Sequence, residues 1–142
     1  MTLAGTLNGS VMALDVGSRR IGVALAHPTA RLAQPLLTLD RSDKTLEDIQ
    51  KLIDEHSVGS IAVGLPRSLD GNITQQTRDT IVFINQLRAF TSVPVFEQDE
   101  ALTSRQAEAE LIDRAKPYTK ADVDSLAATY ILQDFLGSQN HE

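Results

Sequence analysis

Two short apolar runs joined by a polar turn constrain this chain most strongly. VMALDV (11–16) and IGVALA (21–26) flank Gly-Ser-Arg-Arg. Apolar runs of this length, bounded by turn residues, are typical of buried strands, and we predict a β-hairpin of strands 10–16 and 20–26. Asp15 lies inside the first strand, where burial of an unpaired carboxylate would be costly. We therefore expect Asp15 to be either a hydrogen-bonded structural carboxylate or a functional one.

Further along the chain, hydrophobic periodicity predicts alternating helices and strands. The predicted strands cover 34–39, 60–65 and 93–99, and the predicted helices cover 43–56, 74–90, 103–113 and 120–136. Ser42 or Asp43 would cap the first of these helices, Gly59 would follow its end, and Gly137 would end the last. This order predicts an α/β fold with a mixed five-stranded sheet, three antiparallel strands followed by two parallel ones, flanked by helices.

Length and composition limit the classes of protein that the chain can belong to. The 142 residues suit a single domain, 1–142, with an ordered core at about 10–137. The absence of cysteine excludes disulfides, thiolate zinc sites and thiol catalysis. With no long apolar run and no leader-like N-terminus, we expect a soluble, cytoplasmic protein with no membrane partner. The net charge of −6 argues against a broad nucleic-acid-binding surface, but it leaves room for a local basic rim.

Carboxylates recur where the predicted topology brings the ends of strands together. Asp15 stands near the end of the first strand, Asp99 and Glu100 close the last one, and Asp122 and Asp124 open the last helix. In open α/β sheets, binding sites form at the carboxyl ends of strands, where the strand order reverses. Asp124 lies nearer than Asp122 to the apolar stripe of its helix, so it is the better candidate to face Asp15.

Converging carboxylates repel one another, and a divalent cation is the simplest way to hold them together. Magnesium accepts carboxylate oxygens and keeps positions for water or phosphate, and two such ions roughly 4 Å apart promote phosphodiester hydrolysis. Each acid also has an ordinary alternative, because an Asp at the start of a helix is more often a cap. Likewise, Gly17 and Gly22 are expected to permit a tight turn and close packing rather than to cradle phosphate.

Four segments of the chain resemble motifs of the YqgF (RuvX-like) family of pre-16S rRNA nucleases. They are LDVGSRRIGVA (14–24), Val63-Gly64-Leu65-Pro66 with Asp70-Gly71, Asp99-Glu100 with Leu102-Thr103-Ser104 and Ala107, and KADVDSLAA (120–128). The segments follow the family's order and cover the chain from about residue 10 to 136. The resemblance implies an RNase H-like fold, as in Holliday-junction resolvases, and a metal-dependent nuclease.

The resemblance also implies a set of site residues. Asp15, Glu100 and Asp124 would be the catalytic and metal-binding acids, with Asp99 as the alternative to Glu100 and Mg²⁺ or Mn²⁺ as the cofactor. The cations near this site are interpreted as substrate contacts or as solvated surface charges, and they are Arg19, Arg20, Arg105 and Lys120.

One position departs from the family pattern. The family commonly has Arg after Asp-Glu, whereas this chain has Ala101, so the phosphate contact of that Arg is lost or passes to Arg105.

The leading hypothesis is a two-metal-ion hydrolase that processes the 5′ end of precursor 16S ribosomal RNA. Its partners would be that RNA or ribosomal particles, and it would act as a monomer or weak dimer. The alternatives are a resolvase of branched DNA and a non-catalytic RNA-binding module of ribosome assembly. An ATP-binding domain of the sugar-kinase type also opens with Asp-x-Gly, but it needs two such domains, and this chain has room for one.

Overall fold

The computed structural model of the protein describes residues 9–30, 32–66, 72–100, 109–114 and 117–139. The strands and long helices in these ranges are β1 Ser10–Val16, β2 Arg20–Ala26, β3 Gln34–Asp40, α1 Thr45–His56, β4 Val58–Pro66, α2 Gln75–Phe90, β5 Val95–Glu100 and α3 Lys120–Gln139. Residues 109–113 are also helical, so the structure covers the end of the helix predicted at 103–113, while its start lies outside the described residues. Within the described ranges, no helix combines the length and apolarity needed to cross a membrane.

The five strands form one mixed sheet in the order β3-β2-β1-β4-β5. β2 pairs antiparallel with β1 and β3, whereas β4 pairs parallel with β1 and β5. The predicted sheet of three antiparallel and two parallel strands is confirmed. From β1 the chain runs through β2 and β3 to one edge of the sheet, and it then returns to the other side of β1 as β4. The strand order therefore reverses at β1, and α/β sheets place binding sites at such a reversal.

The central strand β1 is buried on both faces. Met12, Leu14 and Val16 join the core formed with α1 and α2, while Val11 and Ala13 pack in the core formed with α3. This division follows from the alternation of side chains along a strand. The strand residues on the α3 side are small, and this lets the helix approach the sheet closely; they include Ala13, Ala24, Ala26 and Ala62.

The predicted last residue of α1, His56, is confirmed, but the predicted start, cap and stop residues were wrong. The helix begins at Thr45, because the backbone N–H of Ser42 donates to Thr45 Oγ1 at 2.8 Å and so closes a turn ahead of it. It ends at His56, and the C-cap Ser57 adopts the left-handed conformation (φ 52°) and donates its N–H to the carbonyl of Ile53. β4 therefore begins at Val58, before the predicted glycine stop.

The end of α3 and the bounds of β5 also differ from the predictions. α3 runs past Gly137 to Gln139, because this glycine is exposed and keeps a negative φ, so it costs helix propensity without breaking the helix. β5 begins at Val95 rather than residue 93 and includes Glu100, whose backbone pairs with Pro66 of β4. Asp99 and Glu100 are thus both part of the ladder.

Candidate active site

Asp15 lies on the α3 side of the sheet. It has the same parity as Val11 and Ala13, which pack in the α3 core, and its side chain is half-buried. Its cross-strand partner is Gly22 of β2. A Cβ atom added to Gly22 would stand 2.0 Å from the carbonyl oxygen of Asp124. Gly22 therefore allows the backbone of α3 to contact β2 beside Asp15, and it brings the two predicted acids to the same end of the sheet.

The carboxylate of Asp124 forms an ion pair with Arg20. Arg20 Nε donates to Asp124 Oδ2 at 2.7 Å, and the side chains are 31% and 21% exposed, respectively. Arg20 is the first residue of β2, and Asp124 belongs to the second turn of α3. The pair therefore connects β2 with α3. Arg20, a predicted substrate contact, is bound to Asp124, a predicted metal ligand.

Next to this ion pair, a cavity of about 430 Å³ opens at the end of the β1–β2 hairpin. It contains three of the predicted cations together with Asp124, and its lining is Gly17, Ser18, Arg19, Arg20, Lys120 and Asp124. Three cations around one paired carboxylate form a local basic surface on an acidic protein. Such a surface attracts phosphate groups.

Asp122 has the ordinary role expected of an acid at the start of a helix. Its Oδ2 accepts from the backbone N–H of Thr119 at 2.9 Å, while its own N–H donates to Thr119 Oγ1 at 3.2 Å. This reciprocal pair caps the N-terminus of α3 and keeps the exposed Asp122 carboxylate engaged there. The preference for Asp124 over Asp122 agrees with this placement.

The acids of β5 are only partly described. Asp99 is exposed. It alternates in step with Val95, which packs in the core with α1 and α2. Phe96, on the other face of the strand, contacts Phe135 of α3 at 5.5 Å between ring centroids. Strand alternation thus places Asp99 on the face opposite Asp15. The side chain of Glu100 lies outside the described part of the chain, as do Ala101 and Arg105.

The donor chemistry fits a divalent cation in part. Asp15 and Asp124 offer carboxylate oxygens, the ligand class that Mg²⁺ and Mn²⁺ take in proteins. Among the residues that the structure describes, no group of three or more His, Cys, Asp or Glu side chains could hold a metal ion. A complete ligand set therefore needs an acid beyond these two, and the sequence offers Glu100.

Arg41 is a residue near the site that was not predicted from the sequence. Its backbone N–H donates to the carbonyl of Arg19 at 2.8 Å, and its Nη1 donates to the carbonyl of Gly17 at 3.0 Å. Its guanidinium also lies 5.3 Å from the ring centroid of Phe83 in α2. Arg41 thus braces the hairpin turn, but a single arginine just after a strand carries no sequence signal for that role.

Away from the cavity, one hydrogen-bonded group has shifted pKa values. The hydroxyl of Tyr130 and the guanidinium of Arg114 both donate to the carboxylate of Glu110. The Tyr130 hydrogen bond in particular lowers the pKa of Glu110, whereas burial and then Glu110 raise the pKa of Tyr130 to about 12. These contacts hold residues 109–114 against α3.

Known proteins similar in sequence span almost the whole chain. A protein of Roseiflexus sp. (strain RS-1) is 45% identical over 135 residues, covering 92% of this chain and 96% of its own. One of Thermoanaerobacter pseudethanolicus is 38% identical over 137 residues, covering 93% and 99%. Both carry the name "Putative pre-16S rRNA nuclease".

Solved structures of Holliday-junction enzymes share the fold. T. thermophilus RuvC in complex with Holliday junction substrate is 16% identical, with a TM-score of 0.54 over 92% of this chain and 97% of its own. The fowlpox virus Holliday junction resolvase is 12% identical, with a TM-score of 0.55 over 91% and 99%. The predicted RNase H-like fold is thereby confirmed.

The family resemblance drawn from the four motifs is also confirmed. The family model RuvX, described as Holliday junction resolvase, matches residues 9–138, which include both strands of the hairpin, Asp15 and Asp124. With that match and relatives above 30% identity along nearly its full length, the chain belongs to the RuvX (YqgF) family.

Proposed function

We propose that this chain is a metal-dependent nuclease that hydrolyses phosphodiester bonds of RNA at the 5′ end of precursor 16S ribosomal RNA. Its substrate is the free precursor or an assembling ribosomal particle, in the cytoplasm. The observation that carries the proposal is the packing of the Asp124 backbone on Gly22, the cross-strand partner of Asp15, beside a cavity lined by three cations. The names of the relatives direct it toward ribosomal RNA.

In this proposal, Asp15, Asp124 and Glu100 hold Mg²⁺ or Mn²⁺. Bound cations, in a two-ion arrangement, supply Lewis-acid stabilisation of the phosphoryl oxygens and lower the pKa of a bound water. Asp99 is the weaker candidate for the third acid, because its strand parity points away from the α3 face.

The cations of the cavity have the second part in the reaction. Arg19 and Lys120 orient the nucleic acid by binding its phosphates, and both side chains are exposed. Arg105 takes over the phosphate contact that the family's usual Arg would make at position 101. A single cut needs one such site, so a monomer suffices.

A resolvase of branched DNA is the second candidate. The description of the family model and the fold shared with RuvC favour it. Two strands of a four-way junction must be cut symmetrically, and this requires a two-fold dimer. The two candidates therefore differ in substrate and in the oligomeric state of the active species.

The test compares cleavage of a labelled RNA that contains the 5′ leader of 16S rRNA with cleavage of a four-way DNA junction. Each is incubated with Mg²⁺, Mn²⁺ or EDTA. We expect cation-dependent cleavage of the RNA, and we expect Asp15→Asn and Asp124→Asn each to lower kcat by about 100-fold or more, because the cation contributes several kcal/mol. Asp122→Asn is the matched control, since it keeps the helix cap and should stay within about twofold.

Each alternative has its own outcome in the same experiment. Cleavage of the junction alone would identify a resolvase. Tight RNA binding without turnover, unaffected by Asp15→Asn, would identify a binding module. Loss of activity in Asp122→Asn equal to that in Asp124→Asn would show that the start of α3 matters for stability rather than for chemistry.

A further inference from the structure

We propose that Arg20 and a divalent cation compete for the carboxylate of Asp124, so that cation binding frees the Arg20 guanidinium to contact a phosphate of the nucleic acid. The inference rests on the proposed function and adds a coupling between cation binding and substrate binding. It gives Arg20 a contact with substrate that depends on the cation, unlike the contacts of Arg19 and Lys120.

The competition follows from the contact itself. Arg20 Nε lies 2.7 Å from Asp124 Oδ2, in a half-buried pair where solvent screens the charges only partly. A carboxylate that accepts a charge-assisted hydrogen bond has less negative potential left for a second cation. Two cations at this oxygen would also repel each other, so binding of one disfavours the other.

Anchoring of the backbone decides which partner moves. The N–H of Gly17 donates to the carbonyl of Arg20 at 2.8 Å, and the Arg41 N–H fixes the neighbouring carbonyl of Arg19. On the other side, the backbone of Asp124 packs directly on Gly22. With both backbones fixed, the short Asp124 side chain stays in place, whereas the guanidinium of Arg20 swings on its flexible stem.

The cavity gives the freed guanidinium a destination. Arg20, Arg19 and Lys120 all line the same 430 Å³ space, and Asp124 is the acid among its lining residues. Once a cation engages Asp124, a substrate phosphate that enters this space offers the guanidinium an anion able to accept two hydrogen bonds from it. By linkage, the nucleic acid then strengthens cation binding by the same factor.

The first test measures Mn²⁺ affinity of the full chain from the electron paramagnetic resonance signal of free Mn²⁺. We expect Arg20→Gln to bind Mn²⁺ roughly three- to tenfold more tightly than the wild type, within the usual range of coupling between sites. Arg19→Gln is the matched control: it removes a neighbouring cation of the same cavity but leaves the Arg20–Asp124 pair intact. We expect it to change the affinity by less than about twofold, since salt screens exposed charges.

The second test measures RNA binding against salt concentration, with and without Mn²⁺, on a short phosphorothioate oligonucleotide that keeps the backbone charge but resists cleavage. Each phosphate contact on a single strand adds about 0.7 to the slope of log affinity against log salt. We expect Arg20→Gln to reduce the slope by about that amount only when Mn²⁺ is present. Arg19→Gln should reduce it in both conditions.

The outcomes separate this inference from the proposed function. If the wild type binds no Mn²⁺, the proposed function and the inference both fail. If the wild type binds Mn²⁺ but Arg20→Gln binds it no more tightly, or changes the slope equally with and without Mn²⁺, only the inference fails. Should Arg20→Gln not fold, Arg20→Lys replaces it. A lysine lacks the Nε donor, so we expect an intermediate gain in affinity, and no gain would overturn the inference.

Discussion

At the scale of single residues, Gly22 determines how closely α3 approaches the sheet. Its missing side chain leaves room for the backbone of Asp124, and a Cβ atom would stand 2.0 Å from the carbonyl oxygen and 2.3 Å from the carbonyl carbon. Both are backbone atoms of a helix, so they cannot move aside alone. Gly137 of α3 offers a comparison, because a Cβ atom added there has no neighbour within 4 Å.

We therefore expect Gly22→Ala and Gly137→Ala to change stability in opposite directions. Gly22→Ala should lower the free energy of unfolding by about 3 kcal/mol, the cost of overpacking against a rigid neighbour. Gly137→Ala should raise it by up to about 1 kcal/mol, through helix propensity. Urea unfolding followed by circular dichroism measures both. Equal effects of the two substitutions would contradict the close contact between β2 and α3.

How far single residues could be interpreted from the sequence depends on how local their signal is. A carboxylate in an apolar strand marks Asp15, and a glycine opposite it suggests close packing. The ion pair of Arg20 with Asp124 joins residues 104 positions apart, so no spacing rule indicates it. The bracing of the hairpin turn by Arg41 likewise needs the fold to be known first.

At the scale of elements, the sequence predicted which segments are helices and strands better than where each one ends. Apolar periodicity is a property of a whole segment, and it predicted every strand of the sheet. The start of α1 depends instead on a turn that the hydrogen bond from Ser42 to Thr45 closes. Its stop is the left-handed Ser57, a conformation that serine adopts rarely, and not the glycine that follows. The face of the sheet on which an acid lies depends on its position in the alternation of its strand. For this reason Asp99 and Asp15 lie on opposite faces.

The contact of residues 109–114 with α3 leads to a prediction about pH. The pKa of Glu110 is lowered in the folded state, so its contribution to stability is present above the ordinary value of 4.5 and is lost as pH falls through the folded pKa. Tyr130→Phe removes the main cause of that shift. We expect it to cost about 1 kcal/mol at pH 7 and to flatten the loss of stability in acid, measured by urea unfolding across pH.

The same contact is visible in the alkaline titration of tyrosine. The pKa of Tyr130 is raised to about 12 from 10.0, so its hydroxyl favours folding below pH 10 and ceases to do so as pH rises toward 12. Tyr118 is the other tyrosine of the chain, and the Tyr118→Phe variant leaves Tyr130 alone to be observed. We expect its absorbance to show a midpoint near 12. A midpoint near 10 would contradict the Tyr130–Glu110 contact.

At the scale of the whole molecule, the two sides of the sheet differ in construction. Large aliphatic side chains fill the side with α1 and α2, whereas alanines line the side with α3 and let that helix lie against the sheet. The end of this thin layer holds Asp15, Asp124 and the basic cavity. The order of predicted strands and helices predicted the layered sheet, and the rule on strand reversal predicted which end would carry the acids. The thinness of the α3 layer depends on packing, which periodicity does not reveal.

The protein is acidic overall but basic around the cavity, and the salt dependence of RNA binding measures how many of these cations contact the RNA. The chain carries −6, so we expect RNA binding to depend on the few cations that line the cavity. Contacts from Arg19, Arg20 and Lys120 give a slope of about −2 for log affinity against log salt, and Arg105 as a fourth contact brings it near −3. At a slope of −2, raising salt from about 50 to 200 mM weakens binding roughly 16-fold.

A fluorescence-anisotropy titration with Mn²⁺ measures this slope, and Lys120→Gln should reduce it by about 0.7. A much steeper slope would mean that the RNA contacts basic residues well beyond this cavity, and the site would then be only part of a larger binding surface.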